Sequence, residues 1–234
     1  MGVWCGRLVT TPKRDVHHGD GIAWLREARL GPEHAIVTSV PDLSEMQPMG
    51  LQAWRDLAVE ITRLACLRAA PQAVVILYQT DIKVDGRTID KSYLAMRGAE
   101  EAGVHCLWHK VVCRTQPGNT TFGRPAFGHW MAFSRELRLA PDASTPDVLP
   151  ELGVMTWARA MPMSAARATC EFLLAHTECR VVVDPFCGLG TILAVANEYG
   201  LDAIGVELSA KRARKAGRLT TRDGVADSGD SKPT

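Results

Sequence analysis

The chain has 234 residues, is 46% hydrophobic and 23% charged, and carries a formal net charge of +1. That composition suits a globular domain and excludes a disordered or collagen-like chain; any basic footprint must be local. Seven cysteines without a C-x-x-C pair argue against a disulfide framework or a zinc site and point to reduced thiols and an intracellular location. No apolar run reaches the length of a membrane span and no signal peptide is visible, so no membrane partner is expected.

Around Trp4 and Cys5 a short strand is expected, followed by the basic turn Thr10-Thr11-Pro12-Lys13-Arg14. Residues 15–20 read as a strand and Gly21-Ile22-Ala23-Trp24-Leu25 as the start of a helix that Asp20 could cap. A buried strand, Ala35-Ile36-Val37-Thr38-Ser39-Val40, runs into Pro41-Asp42. Asp42-Leu43-Ser44-Glu45 has capping-box spacing. Leu51, Trp54, Leu57, Ala58, Ile61, Leu64 and Ala65 set an amphipathic core helix within residues 46–70.

Residues 73–81 form another buried strand and 82–87 a polar loop. A helix over 91–102 ends at Gly103. Strands over 104–114 and 129–134 read as an antiparallel pair. The loop between them, 115–128 with Arg114 at its base, mixes arginines, aromatics and glycines, which suits phosphate contact and base stacking as well as a solvated hairpin loop. Pro141, Pro146 and Pro150 mark a loop or linker over 136–153. A helix over 163–176 follows, with Ser164 as its expected cap. Residues 1–218 are read as a single domain, and 219–234, rich in Gly, Ser and Asp, as a disordered tail.

The most informative stretch comes late. Val181-Val182-Val183 is a short β-branched strand, Asp184-Pro185-Phe186-Cys187-Gly188-Leu189-Gly190-Thr191 a glycine turn, and residues 192–199 have helical spacing up to Gly200. Ala203-Ile204-Gly205-Val206-Glu207 is a second strand ending on a carboxylate. Glycines admit a ligand to the backbone, and an acid at the next strand end can bind both ribose hydroxyls. The spacing is not G-x-G-x-x-G, and no P-loop lysine follows, so a dinucleotide or a triphosphate fits poorly.

The turn from Asp184 to Thr191 resembles motif I of class I S-adenosylmethionine-dependent methyltransferases, above all the nucleic-acid amino-methyltransferases with D-P-F-x-G-x-G-T. Ser39-Val40-Pro41-Asp42 is similar to their motif IV, S-P-P-Y or D-P-P-Y, with Val40 in place of the first proline and Asp42 in place of the aromatic. The motif IV half precedes the cofactor half, as in the permuted β-type DNA amino-methyltransferases, and the resemblance spans roughly residues 15–217. It implies an α/β fold: a Rossmann-like, seven-stranded mixed sheet with helices on both faces and circularly permuted motif order.

The resemblance also implies the site. S-adenosyl-L-methionine would be held by Asp184, Pro185, Phe186, Gly188, Gly190 and Thr191, with Glu207 on the ribose and Asp20 on the adenine, and a segment like 157–162 beside its methionine end. Ser39, Pro41 and Asp42 would line the place where the methyl meets its acceptor. In the family the motif IV aromatic stacks on the target base, while the first side chain and a backbone carbonyl accept bonds from the amine. Asp42 cannot stack; it is either a helix cap or a catalytic acceptor. Lys110, Arg114, Phe122 and Arg124 are the substrate-contact candidates. Cys187 reads as a small packing residue, and His17, His18, His105 and His109 share no metal-ligand spacing, so no metal is expected.

The expected partner is nucleic acid, RNA ahead of DNA because the chain has no room for a large target-recognition domain, or a target presented by a protein partner. A methyltransferase-fold protein that binds nucleic acid or a partner without catalysis remains the alternative, because Val40 and Asp42 break the acceptor motif. A small-molecule or protein methyltransferase is a third reading, since no basic stripe is visible.

Overall fold

The computed structural model describes residues 11–46, 48–151, 153–157 and 160–221. The expected strand at Trp4 and Cys5, and the tail from residue 222 onward, lie outside the described residues. In chain order the elements are β1 (Arg14–His18), α1 (Gly21–Glu27), β2 (His34–Thr38), α2 (Leu51–Arg68), β3 (Val75–Gln79), β4 (Ile82–Val84), β5 (Arg87–Ile89) and α3 (Lys91–Glu101). Then come β6 (His105–Cys113), β7 (Phe127–Ser134), β8 (Val148–Leu149), α4 (Met163–His176), β9 (Val181–Asp184), α5 (Thr191–Glu198), β10 (Asp202–Glu207) and α6 (Ala210–Ala216).

The main sheet has eight strands in the order β1-β10-β9-β2-β3-β7-β6-β8. The first five run parallel, β7 is antiparallel to β3 and to β6, and β6 and β8 are parallel. The β-branched run of β9 suits a strand buried on both faces. Ala35, Val37, Ile76 and Val182 point to a core shared with α4 and α5, while Ile36, Val75, Leu77 and Val183 point to a core shared with α1, α2 and α3. The mixed α/β sheet with helices on both faces is therefore as expected.

Four details differ. The sheet gains an eighth strand inside the expected linker: Val148 and Leu149 pair with Val111 and Val112. Lys110 draws that segment in, its ammonium bonding the carbonyls of Thr145 and Pro146 and the Asp147 carboxylate. Two residues show no periodicity, which is why the strand was invisible. The expected polar loop at 82–87 belongs to a hairpin, β4–β5, turned by Asp85 and Gly86 at φ 50 and 73. An Asp-Gly pair is the sequence mark of such a turn.

The helix expected over 46–70 begins only at Leu51, after Pro48 and with Gly50 as its N-cap. The fourth difference is in α4, whose N-cap is Pro162, so Ser164 lies inside its first turn. Packing continues past Arg218, since Arg14 Nη1 donates to the Leu219 carbonyl at 2.7 Å and Thr221 is buried. Among the described residues no helix is long and apolar enough to cross a membrane.

The parallel strands all end on one edge. Asp20 follows β1, Glu207 ends β10, Asp184 ends β9, Ser39 follows β2 and Gln79 ends β3. From β9 the chain crosses through α5 to β10 on one side, and from β2 through α2 to β3 on the other. The β9/β2 boundary is thus a topological switch point, where open α/β sheets place their ligands.

Candidate active site

The turn after β9 is built by backbone demands. Gly188 and Gly190 have φ of 55 and 83, the left-handed region that side chains rarely adopt. A Cβ on Gly190 would lie 2.9 Å from the Ala216 Cβ, so α6 packs directly on the turn. Gly21 is as constrained: a Cβ there would lie 2.0 Å from the Pro185 carbonyl oxygen. Sequence reading missed Gly21, although its place just after a strand-end acid was a signal.

Asp184 is held from the neighbouring strand. Its Oδ1 accepts from the Thr38 hydroxyl at 2.6 Å and from the Phe186 amide at 3.0 Å. Burial outweighs these bonds and pushes its carboxyl up to about 7. Thr38 was another residue missed, since nothing local links it to Asp184. Burial likewise pushes the Cys187 thiol well above the usual range, and its Sγ packs beneath Gly205. Thr191 and Thr156 share a hydroxyl–hydroxyl bond at the start of α5.

The two outlying acids flank one cavity. Asp20 caps α1, its Oδ1 accepting from the amides of Ile22 at 2.7 Å and Ala23 at 3.1 Å. Glu207 Oε1 accepts from the Ser209 amide at 2.7 Å and from Arg212 Nε at 3.0 Å. Neither acid's second oxygen has a protein partner among the described residues. The cavity between them has a volume of about 160 Å³ and is bordered by Pro185, Phe186, Gly188, Trp157 and Ser39. A smaller cavity beneath it is bordered by Asp184, Thr191, Trp157, Ala160 and Met161, where the segment 157–162 was expected; 158 and 159 lie outside the described residues.

A third cavity opens on the other side of Ser39 and is bordered by Asp42, Gln79, Lys91, Arg114 and Arg124. Ser39 borders all three cavities, and its hydroxyl has no protein partner among the described residues. The rest of its turn is engaged. Lys91 Nζ donates to the Val40 carbonyl at 3.1 Å and to Asp42 Oδ1 at 2.8 Å. Trp54 Nε1 donates to the Pro41 carbonyl at 3.1 Å. Arg124 Nη2 donates to Asp42 Oδ2 at 2.5 Å.

Asp42 does begin a 3₁₀ turn, Leu43–Glu45, where Glu45 accepts from its amide at 2.9 Å. The expected capping box of Asp42 and Glu45 is present, and the Asp42 carboxylate also bonds the two cations. Burial alone would raise that carboxyl, but Lys91 and Arg124 hold it below the usual carboxylate range. At the end of β3, Gln79 is 2% exposed and neither polar atom of its carboxamide has a partner among the described residues. Leaving such a group unsatisfied costs about 1–3 kcal/mol.

Of the substrate-contact candidates, Arg114 and Arg124 meet at this third cavity. Arg114 donates to the Thr80 hydroxyl at 3.3 Å. Phe122 is 92% exposed, on the loop before β7. Lys110 is apart from them, buried and committed to the β8 segment. For metals, the described residues bring Asp81, Asp90 and His129 within 4.8 Å of one another, although no spacing announced it. Asp90 caps α3 through the Tyr93 amide, and His129 bonds Asp81 at 3.2 Å and His109 at 3.0 Å, so the group is already satisfied internally.

No protein-family model and no curated protein sequence matches the chain. Solved structures do. TTHA0409 from Thermus thermophilus, assigned as a DNA modification methylase and complexed with S-adenosyl-L-methionine, superposes with a TM-score of 0.67 at 19% identity, over 92% of this chain and 97% of that one. PvuII DNA methyltransferase, cytosine-N4-specific, gives 0.66 at 14% identity over 95% and 89%. The fold is that of the DNA modification methylases. M1.HpyAVI in complex with SAM matches more loosely, at 0.57 and 14% identity over 88% and 100%. This methylase fold, a large mixed sheet with its parallel strand ends gathered at one edge, places the three cavities around Ser39.

Proposed function

We propose that the chain is an S-adenosylmethionine-dependent methyltransferase acting on a nucleic-acid base. The observation that carries this reading is the junction at Ser39 between an acid-flanked cavity on the glycine turn and a polar cavity beside it. The residues fit the cofactor. Glu207 offers a free carboxylate oxygen to a ribose and Asp20 one to an adenine amine. Phe186 and Trp157 supply apolar walls, and the lack of a Cβ at Gly188 leaves Trp157 in place. Bound there, S-adenosylmethionine supplies a sulfonium-activated methyl group.

What remains for the protein is positioning. Ser39 sits where it can bond the acceptor at the mouth of the cofactor cavity. Asp42, an ion-paired carboxylate below the usual range, is a poor general base at neutral pH. That favours an acceptor whose own lone pair attacks, an exocyclic base amine, over a hydroxyl that must first be deprotonated. Arg114 and Arg124 at the polar cavity suit phosphate contacts, and exposed Phe122, two residues before Arg124 on the loop before β7, suits base stacking. The solved neighbours described as DNA methylases support DNA as acceptor alongside RNA.

A second reading, a binding protein of the same fold without catalysis, is favoured by the engaged Val40 carbonyl and Asp42 carboxylate. Calorimetric titration of the wild type and of Glu207→Ala with S-adenosylmethionine, followed by methyl-label transfer to pooled RNA and DNA, separates the two. Micromolar binding lost in the variant, with label in nucleic acid, is the expected result. Binding without label on either pool supports the binding protein, and no binding by the folded wild type removes the methyltransferase reading.

A further inference from the structure

The acceptor cavity has one feature that positioning by Ser39 alone does not use. Two acceptors on the turn after β2, the Val40 carbonyl and the Asp42 side chain, are held by Lys91 and Arg124. The Pro41 carbonyl is held by Trp54. Around the same cavity the Gln79 carboxamide is buried, with its oxygen and its nitrogen both unpaired among the described residues. Folded proteins pair such groups, and an orphan of this kind calls for a reason. Gln79 ends β3, one strand over from the Ser39 turn, at the edge where parallel strands present their ligand groups.

We propose that Gln79 reads the methyl acceptor, a base carrying an exocyclic amine beside a ring nitrogen, as in adenine or cytosine. The inference rests on the methyltransferase reading above. The carboxamide oxygen accepts from the amine N–H, and the carboxamide N–H donates to the neighbouring ring nitrogen. A glutamine makes this two-bond pairing with adenine in other settings, and it discriminates by about 5- to 150-fold. Ser39 accepts from the amine's other hydrogen. The two acceptors together fix the amine plane and so aim its lone pair at the cofactor cavity. Gln79 thereby orients the acceptor from the strand beside the Ser39 turn. Its unpaired state in the free protein is the corollary: the partner is the base.

The test uses the full chain with S-adenosylhomocysteine present. Single-stranded oligonucleotides of equal length carry a central adenine, a central cytosine or an abasic site, and their affinities are compared for wild type, Gln79→Met and Gln79→Glu. Wild type is expected to bind the adenine or the cytosine strand at least tenfold more tightly than the abasic one. Both variants are expected to lose that preference while binding the abasic strand and the cofactor product as wild type does. Gln79→Met is also expected to melt at the same temperature or higher, because it replaces an unpaired amide with an apolar side chain of similar size; a purely structural role would lower it. Gln79→Glu keeps the length and polarity of the side chain should the methionine fail to fold. Cofactor binding with an unchanged base preference in the variants overturns the role of Gln79 and leaves the methyltransferase reading standing. Cofactor binding with no base preference in the wild type overturns it too. No binding of S-adenosylmethionine or S-adenosylhomocysteine by any form overturns the methyltransferase reading, and the proposal with it.

Discussion

The two sides of Ser39 are built on different principles. The side proposed for the cofactor is made of backbone: left-handed glycines, a helix packed against Gly190, and strand-end acids that each keep one oxygen without a partner among the described residues. The acceptor side is made of side chains brought from afar. Lys91 comes from α3, Arg124 from the loop before β7 and Trp54 from α2, and together they occupy the turn that follows β2. A backbone site tolerates few substitutions at a few positions. A site closed by ion pairs can be re-specified by changing the ions, and Val40 and Asp42 show that difference within one chain.

Removing the Asp42 carboxylate is expected to have the largest effect. Asp42→Ala leaves the Lys91 ammonium buried with only the Val40 carbonyl, and breaking one member of a buried pair costs about 3–5 kcal/mol. Urea unfolding should register that loss, and the double variant Asp42→Ala/Lys91→Met should recover most of it. A double variant as unstable as the single one would mean that Asp42 acts through the 3₁₀ turn instead. On the cofactor side, Gly190→Ala is expected to cost about 2–4 kcal/mol, from the left-handed backbone and from crowding against Ala216. Gly50→Ala, at a φ of −68 with nothing within 4 Å, provides the near-neutral control.

The same contrast explains what could be read in advance. The glycine turn, the acid at 207 and the Asp20 cap were legible because their chemistry is local: turn, helix and strand follow within thirty residues. The acceptor turn was legible only as a position. Its state depends on Lys91 and Arg124, 49 and 82 residues away, and no local pattern couples them to Asp42. Lys110 misled for the same reason: a lysine in a strand beside an arginine-rich loop suggests phosphate, yet its partner is Asp147. The eighth strand and Gln79 depended on tertiary pairing, or on its absence, which composition does not encode. The Asp85-Gly86 turn was the exception, a local signal passed over.

Titration of Asp184 sharpens the comparison next. In the folded chain its carboxyl holds a proton up to about 7, against 3.8 as a free group. Between those values the folded state binds more protons than the unfolded state, so its contribution to stability is present at low pH and lost as pH rises through 7. Asp184→Asn keeps an oxygen for Thr38 and Phe186, both of which donate to Oδ1, and removes the charge. The variant should therefore be more stable than the wild type at pH 8.5, by roughly 4 kcal/mol, with the gap closing as pH falls toward 4. A gap independent of pH would place the charge of Asp184 outside the stability balance. Asp42 should behave in the opposite sense, since its carboxyl is held low: its stabilisation is present above the ordinary carboxylate range and lost as pH falls through the depressed value.

Phe122 carries the smallest effect on the fold and the cleanest one on function. At 92% exposed it gives up almost no burial when replaced, so Phe122→Ala should leave stability within about 0.5 kcal/mol of wild type. If the loop before β7 stacks on a base, the same change should weaken single-strand binding by about 1–3 kcal/mol, read by fluorescence anisotropy at fixed salt. Arg124→Ala sits on the same loop but touches Asp42, so it should move both stability and binding. A large apolar side chain left in water by the fold, two residues from the Arg124 that borders the polar cavity, makes most sense as a surface that meets its partner only when the acceptor arrives. Equal binding by Phe122→Ala and wild type would confine nucleic-acid contact to the charged walls of the cavity, Arg114 and Arg124.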